Sequence, residues 1–193
     1  MTMQQSVGPE TIVEHRRGEF LISTDPARLD LDVIHGFLTN CYWAKGVPRE
    51  VVARSIEHAL CFGVYDGNGA CPRLAKDAGP FDKLRAGNGA PTDGILAQVG
   101  FARVISDFAS IAYVGDVFVL DSHRGRGLGK WLMEAITQHP ALQGLRRWIL
   151  TTRDAHGLYS QVGFTPVKFP ERYMERHDPQ VYAASANEIR KTT

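Results

Sequence analysis

Apolar positions along the chain change period several times, and each change marks an element. Residues 19–23 (EFLIS) form a short apolar run that predicts a strand. A turn-like TDPARLD follows. Leu31, Ile34, Leu38 and Cys41 then fall at helical spacing, with Asp30 placed to cap them. Gly46-Val47-Pro48 breaks the chain, and Pro48 suits the first turn of a second helix carrying Val52, Ile56, Ala59 and Leu60. Residues 61–65 (CFGVY), 95–105 (ILAQVGFARVI) and 111–120 (IAYVGDVFVL) predict three strands, the last two joined by a tight turn at 107–110. Leu128, Trp131, Leu132, Ala135 and Ile136 mark an amphipathic helix ending before Pro140. A strand at 147–151, a short helix at 155–161 closed by Gly163, and two strands at 165–169 and 172–175 complete the pattern. Strands interleaved with helices of this length predict an α/β protein built on a mixed α+β sheet.

The flanks lack such periodicity. Residues 1–18 are expected to be a flexible N-terminal arm and 177–193 a polar C-terminal tail, around a single domain over 19–176. The segment 67–94 stands apart: its 28 residues include six Gly and three Pro, where a short hairpin would otherwise join two strands. Its PFDKLRAGNG core looks like the product of a bacterial repeat element inserted in frame. The expectation is a surface insertion without a catalytic role, against a lid or partner-binding loop.

Length and charge narrow the function. A chain of 193 residues suits one domain. Lys+Arg is 22 and Asp+Glu 21, a net charge of +1, which gives no global pull toward nucleic acid or an anionic membrane. Any anion site must be built locally. Cys41, Cys61 and Cys71 are odd in number and at unrelated spacings, so neither a disulfide framework nor a metal site is expected. The start of the chain has no secretory apolar region, and no run approaches the ~20 apolar residues of a membrane span. The expected location is the cytoplasm, with no nucleic-acid or membrane partner, as a monomer or homodimer.

The candidate chemistry lies in Val117-Phe-Val-Leu-Asp-Ser-His-Arg-Gly-Arg-Gly-Leu-Gly-Lys130. A strand ends, a turn follows, and Gly125, Gly127 and Gly129 open a helix. Glycine permits unusual φ and close approach of a ligand. The first helical turn leaves N–H groups unpaired at the positive end of the dipole, and Arg124, Arg126 and Lys130 add fixed charge. This combination suits a phosphate or diphosphate. A Walker loop fails, because Arg124 replaces its first Gly and Trp131 follows Lys130. A dinucleotide fingerprint fails, because residue 130 is Lys rather than Gly. The pattern [RQ]xxGx[GA] fits residues 124–129; a solvated turn without a ligand is the alternative.

These residues resemble the GNAT (Gcn5-related) N-acetyltransferases, in which an RxxGxG turn holds the coenzyme A diphosphate. The upstream DVFVLDSHR looks like the family's fourth strand. TRDAHGLYSQVGF at 152–164 is similar to its later NxxAxxLYxxxGF block, with Ala155, Leu158, Tyr159, Gly163 and Phe164 in place. The resemblance covers about residues 19–175 and departs from the family at Thr152, where Asn is usual, and in the insertion.

The resemblance implies the GNAT acyl-CoA N-acyltransferase fold: strand, two helices, three strands, helix, strand, helix and two strands. It implies acetyl-CoA as donor, bound by the turn 124–130 (Arg124, Gly125, Arg126, Gly127, Leu128, Gly129, Lys130), by backbone of Val117, Phe118 and Val119, and by Thr152 and His156. The pantetheine arm would lie between 116–120 and 148–151. The reaction would be direct attack of a primary amine on the thioester, through a tetrahedral intermediate. Tyr159 would be the general acid for the leaving thiolate; its loss would slow turnover by about 10²-fold. A purely packing tyrosine is the alternative. Asp116 would be the base facing the acceptor, or else a carboxylate in a structural bond. Tyr42 and Trp43 would line the acceptor pocket unless they pack in the core, with Arg103, Asp107, Glu171, Arg172 and Tyr173 as rim candidates. His123 and His156 flank the donor site, and no metal set is expected. The implied function is transfer of acetyl to a small amine. A non-catalytic acyl-CoA sensor and a protein or peptide N-acetyltransferase are the alternatives.

Overall fold

The computed structural model describes residues 8, 10–68, 96–178 and 180–182. Six strands lie side by side in chain order: β1 (Glu14–Arg17), β2 (Phe20–Ser23), β3 (Leu60–Asp66), β4 (Ala97–Ser106), β5 (Ile111–Val119) and β6 (Arg147–Ile149). Neighbours from β1 to β5 are antiparallel, and β6 joins β5 in parallel. The helices are α1 (Leu31–Leu38), α2 (Arg49–Glu57), α3 (Leu128–Thr137) and α4 (His156–Ser160). A parallel neighbour requires a crossover, and α3 supplies it.

Period-two alternation divides the sheet into two faces. Phe62, Val64, Ala102, Val104, Ala112 and Val114 point to the side covered by α3, against Leu128, Leu132, Met133 and Ile136. Cys61, Phe101 and Phe118 point to the other side, against Ile34 and Leu38 of α1 and Val52 and Ile56 of α2. Asp30 caps α1 as expected, its carboxylate accepting from Asp32 N (3.0 Å) and Val33 N (3.3 Å). The β4–β5 turn is closed by Asp107, which accepts from the backbone of Ala109, Ser110 and Ile111 and from the Ser110 hydroxyl. Those bonds, the Ser110 hydroxyl first, hold its carboxyl well below the usual range.

The structure differs from the sequence expectations at both ends. Residues 14–17, read as part of a loose arm, form β1, paired to β2 from Glu14↔Ser23 to Arg17↔Phe20. Gly18, at φ +59°, turns that hairpin. The strands expected at 165–169 and 172–175 do not form; only a 3-10 turn, Pro170–Arg172, occurs there. Pro166 and Pro170 have no N–H to give a ladder, which breaks the pattern on both sides of Val167-Lys168-Phe169. The insertion lies outside the described residues from 69 to 95. The strands around it pair at Asp66↔Ala97, so the segment leaves and returns at one hairpin end.

Candidate active site

The sheet splits beside β5. Its pairing with β6 has three rungs, Ile111↔Arg147, Ala112↔Trp148 and Tyr113↔Ile149. At the last rung the Tyr113 hydroxyl bonds Thr151 Oγ1 (3.0 Å). β5 then runs on to Val119 with no strand among the described residues on that side, while on the other it stays paired to β4 up to Gly100↔Val119. A cleft of about 1430 Å³ opens at this point. Val117, Phe118 and Val119 line it, together with the turn after β5, the α1–α2 connection and the start of α4.

The turn has the form expected of an anion site. Gly127, at φ +73°, is the N-cap of α3 and offers no side-chain cap, so among the described residues no capping side chain takes the N–H groups of the first turn. Gly125 is also left-handed, at φ +77°. A Cβ on Gly129 would meet only Leu158 side-chain atoms at ordinary distance, so Gly129 brings α3 close to α4. The flanking cations are engaged at the surface. Arg124 bonds Asp121 Oδ1 (2.9 Å) and Val119 O (3.3 Å), and Lys130 lies 3.8 Å from Glu134. Arg126 contributes its carbonyl rather than its side chain: its guanidinium sits 5.9 Å from the Phe20 ring and does not line the cleft.

Arg17 of β1, which no sequence signal singled out, grips this turn. Its Nη2 donates to Arg126 O (3.1 Å), and its guanidinium lies over Trp131 (4.7 Å). His123 holds the turn from below, with Nε2 3.2 Å from Asp66 Oδ2 and Nδ1 2.8 Å from Ser122 Oγ.

On the α3–α4 side of the sheet, Tyr159 is buried at the cleft wall, edge-on to Phe164. Burial, and after it the neighbouring Tyr42, Asp154 and Tyr113, pushes its phenol up to about 12. It therefore keeps its proton at neutral pH. Thr152 lines the cleft, and its hydroxyl accepts from Ala155 N (3.0 Å), which sets the start of α4. His156 is exposed and outside the cleft. The apolar set Ala155, Leu158, Tyr159 and Val162 takes the inward face of α4 and its following turn, which leaves residue 156 on the outward one.

On the α1–α2 side stands Asp116. A bulge in the β4–β5 ladder between Phe101 and Arg103 puts it at φ +54°, left-handed for a non-glycine residue. Its Oδ2 accepts from Arg103 Nε and its Oδ1 from Trp43 Nε1 (3.3 Å). Tyr42 reaches across the cleft, its hydroxyl accepting from Arg153 N (3.3 Å) under the Arg153 guanidinium (3.8 Å to the ring). Both aromatics are exposed along the cleft rather than packed in the core. Cys41 also lines it, but burial raises its thiol, which donates to Leu38 O (3.0 Å). Asp107, Glu171, Arg172 and Tyr173 do not line the cleft. Among the described residues no group of three His, Cys, Asp or Glu could hold a metal ion, and no helix is long and apolar enough to cross a membrane.

Comparison with known proteins gives this architecture a family. The family described as "Acetyltransferase (GNAT) domain" matches residues 92–166. A Gibberella zeae protein named as a candidate acetyltransferase is 31% identical over 155 residues, 75% of this chain and 78% of that protein. A crystal structure of a Xanthomonas campestris protein, described as a GNAT-family acetyltransferase, shares 44% identity at a TM-score of 0.67, covering 87% of this chain and 99% of that one. A Staphylococcus aureus protein of unknown function, at 18% identity and a TM-score of 0.56 over 82% of this chain and 98% of that one, shares the fold. The split mixed sheet with a glycine turn at its opening thus defines an acetyltransferase fold. The chain belongs to the GNAT acetyltransferase family.

Proposed function

We propose that the protein transfers an acetyl group from acetyl-CoA to a primary amine of a small-molecule acceptor, by direct attack. The observation that carries this is the continuity of one cleft from the uncapped start of α3, along the unpaired side of β5, to Tyr159. Bound there, acetyl-CoA supplies an activated acyl carbon on a fair leaving group. The N–H groups of Leu128, Gly129 and Lys130 would hold its diphosphate, and the free edge of β5 at 117–119 its pantetheine amides. A β5 N–H aimed at the thioester carbonyl would stabilise the oxyanion.

The amine lone pair forms the new C–N bond as the C–S bond breaks. The thiolate takes the Tyr159 proton, and the proton released by the amine returns to Tyr159 through solvent. The position of Tyr159 at the cleft wall supports this role, and its protonated phenol is the form a donor requires. Asp116 stands on the acceptor side of β5, where it would orient the incoming amine. The raised thiols of Cys41 and Cys61 argue against an acyl-cysteine route, because a protonated thiol is a poor nucleophile.

Free-thiol release from acetyl-CoA, assayed across polyamines, amino acids, aminoglycosides and peptides, tests the reading. It requires acceptor-dependent release by at least one small amine. Tight acetyl-CoA binding with no release by any acceptor would make the protein a sensor instead.

A further inference from the structure

Arg103 is the one charged residue within β4, and the alternation of that strand turns it to the α1–α2 face beside Phe101. There it pairs with Asp116 across the bulge, the two side chains only 20% and 13% exposed. Such a pair adds little to stability, because removing both charges from water offsets their attraction. The left-handed backbone at Asp116 adds strain. Stability therefore does not account for the arrangement.

The geometry leaves binding capacity on both partners. Arg103 spends only Nε on Asp116, and its terminal nitrogens have no acceptor among the described residues. They form the fork that matches a carboxylate. Asp116 accepts one donor on each oxygen and keeps lone pairs for an ammonium or amine. The pair is neutral as a unit, so a polyamine or aminoglycoside would meet no excess of negative charge there, whereas a zwitterion finds a partner for each end. Phe37 and Phe118, stacked at 3.9 Å, and Trp43 provide an apolar wall beside it.

Resting on the function proposed above, we infer that the acceptor is an amino acid, with Arg103 receiving its carboxylate and Asp116 its amino group. Arg103 is then the residue that determines acceptor specificity.

The test is thiol release with matched sets such as phenylalanine, phenylalaninamide and phenethylamine, and the same for methionine. The wild-type protein is expected to favour the free amino acid by at least tenfold in kcat/KM. Arg103→Gln is expected to lower kcat/KM for the amino acid by about 10- to 100-fold, the worth of hydrogen bonds to a charged group. The amide should lose less than the amino acid, so that the ratio of their kcat/KM values falls toward one. Arg103→Lys, which keeps the charge without the fork, should fall between the two. If Arg103→Gln does not fold, the wild-type comparison decides alone. Amides and amines turned over as well as amino acids would overturn this inference and leave the proposed function standing. No release with any member, with release by a polyamine or aminoglycoside, would likewise overturn this inference alone; no release by any acceptor of the wider panel would overturn the proposed function and this inference with it.

Discussion

Gly127→Ala separates the ligand role of the turn from its structural role. Gly127 sits at φ +73°, and an added Cβ would meet only the Arg17 guanidinium, at 3.8 Å and beyond. Contact therefore adds no cost, and the penalty is the left-handed backbone itself, about 1–2 kcal/mol for an alanine. For a chain of this size that lowers Tm by about 2–8 °C. Gly144 is the control: it has φ +76°, open space within 4 Å of where a Cβ would stand, and a position off the cleft. Gly144→Ala should cost the same stability. The two variants should part in coenzyme A affinity. Relaxing φ at the N-cap of α3 turns its first N–H groups away from a bound diphosphate. Losing one hydrogen bond to a charged group costs about 1.5–3 kcal/mol, or about 10- to 150-fold in Kd. Calorimetric titration with coenzyme A should show that loss for Gly127→Ala and none for Gly144→Ala. Equal affinity in the two, at equal Tm, would refute the assignment of the diphosphate to this turn.

Tyr159→Phe should keep coenzyme A affinity and lower kcat by about 10²-fold, since only the proton for the leaving thiolate is removed; an unchanged kcat would take Tyr159 out of the chemistry. Because its phenol is raised to about 12, activity should show no loss from Tyr159 ionisation below pH 10, whereas a tyrosine at its ordinary value would begin to titrate there. His139 is fully buried, with Nε2 unpartnered among the described residues and Nδ1 accepting from Ala141 N (3.3 Å); burial, and after it His15, lowers its imidazole from 6.5. The unfolded chain takes up that proton first, so the stability contribution is complete above pH 6.5 and is lost as pH falls through the lower folded value. Denaturant unfolding at pH 8 and pH 5 should show a smaller drop for His139→Asn, which can still cap but does not titrate in this range; equal drops would exclude His139 as the cause.

Much of this was legible because it is local. Asp30 before Leu31, Pro48 before Arg49 and the glycines at 125, 127 and 129 state their backbone requirements in the residues themselves. The apolar periods of β3, β4, β5 and α3 follow the two faces that the sheet buries. What escaped depends on partners distant in sequence. Glu14-His-Arg-Arg17 is mostly exposed, so β1 carries no apolar signature and exists through its register with β2. Arg17 reaches the turn 109 residues away only because that edge hairpin lies beside α3. Thr165 to Phe169 alternates like a strand, yet Pro166 within it and Pro170 after it forbid the ladder. Asp116 stood out as a carboxylate in an apolar strand. Its bond to Arg103, 13 residues away, needed the bulge, which sequence spacing does not show.

A crystal structure of the protein grown with coenzyme A is the most direct measurement of whether the turn and the split sheet form a single donor site. The diphosphate is expected on the N–H groups of residues 128–130, with the pantetheine arm running along 117–119 toward Tyr159. Coenzyme A bound elsewhere, or β5 and β6 paired past Tyr113 with the gap closed, would contradict it.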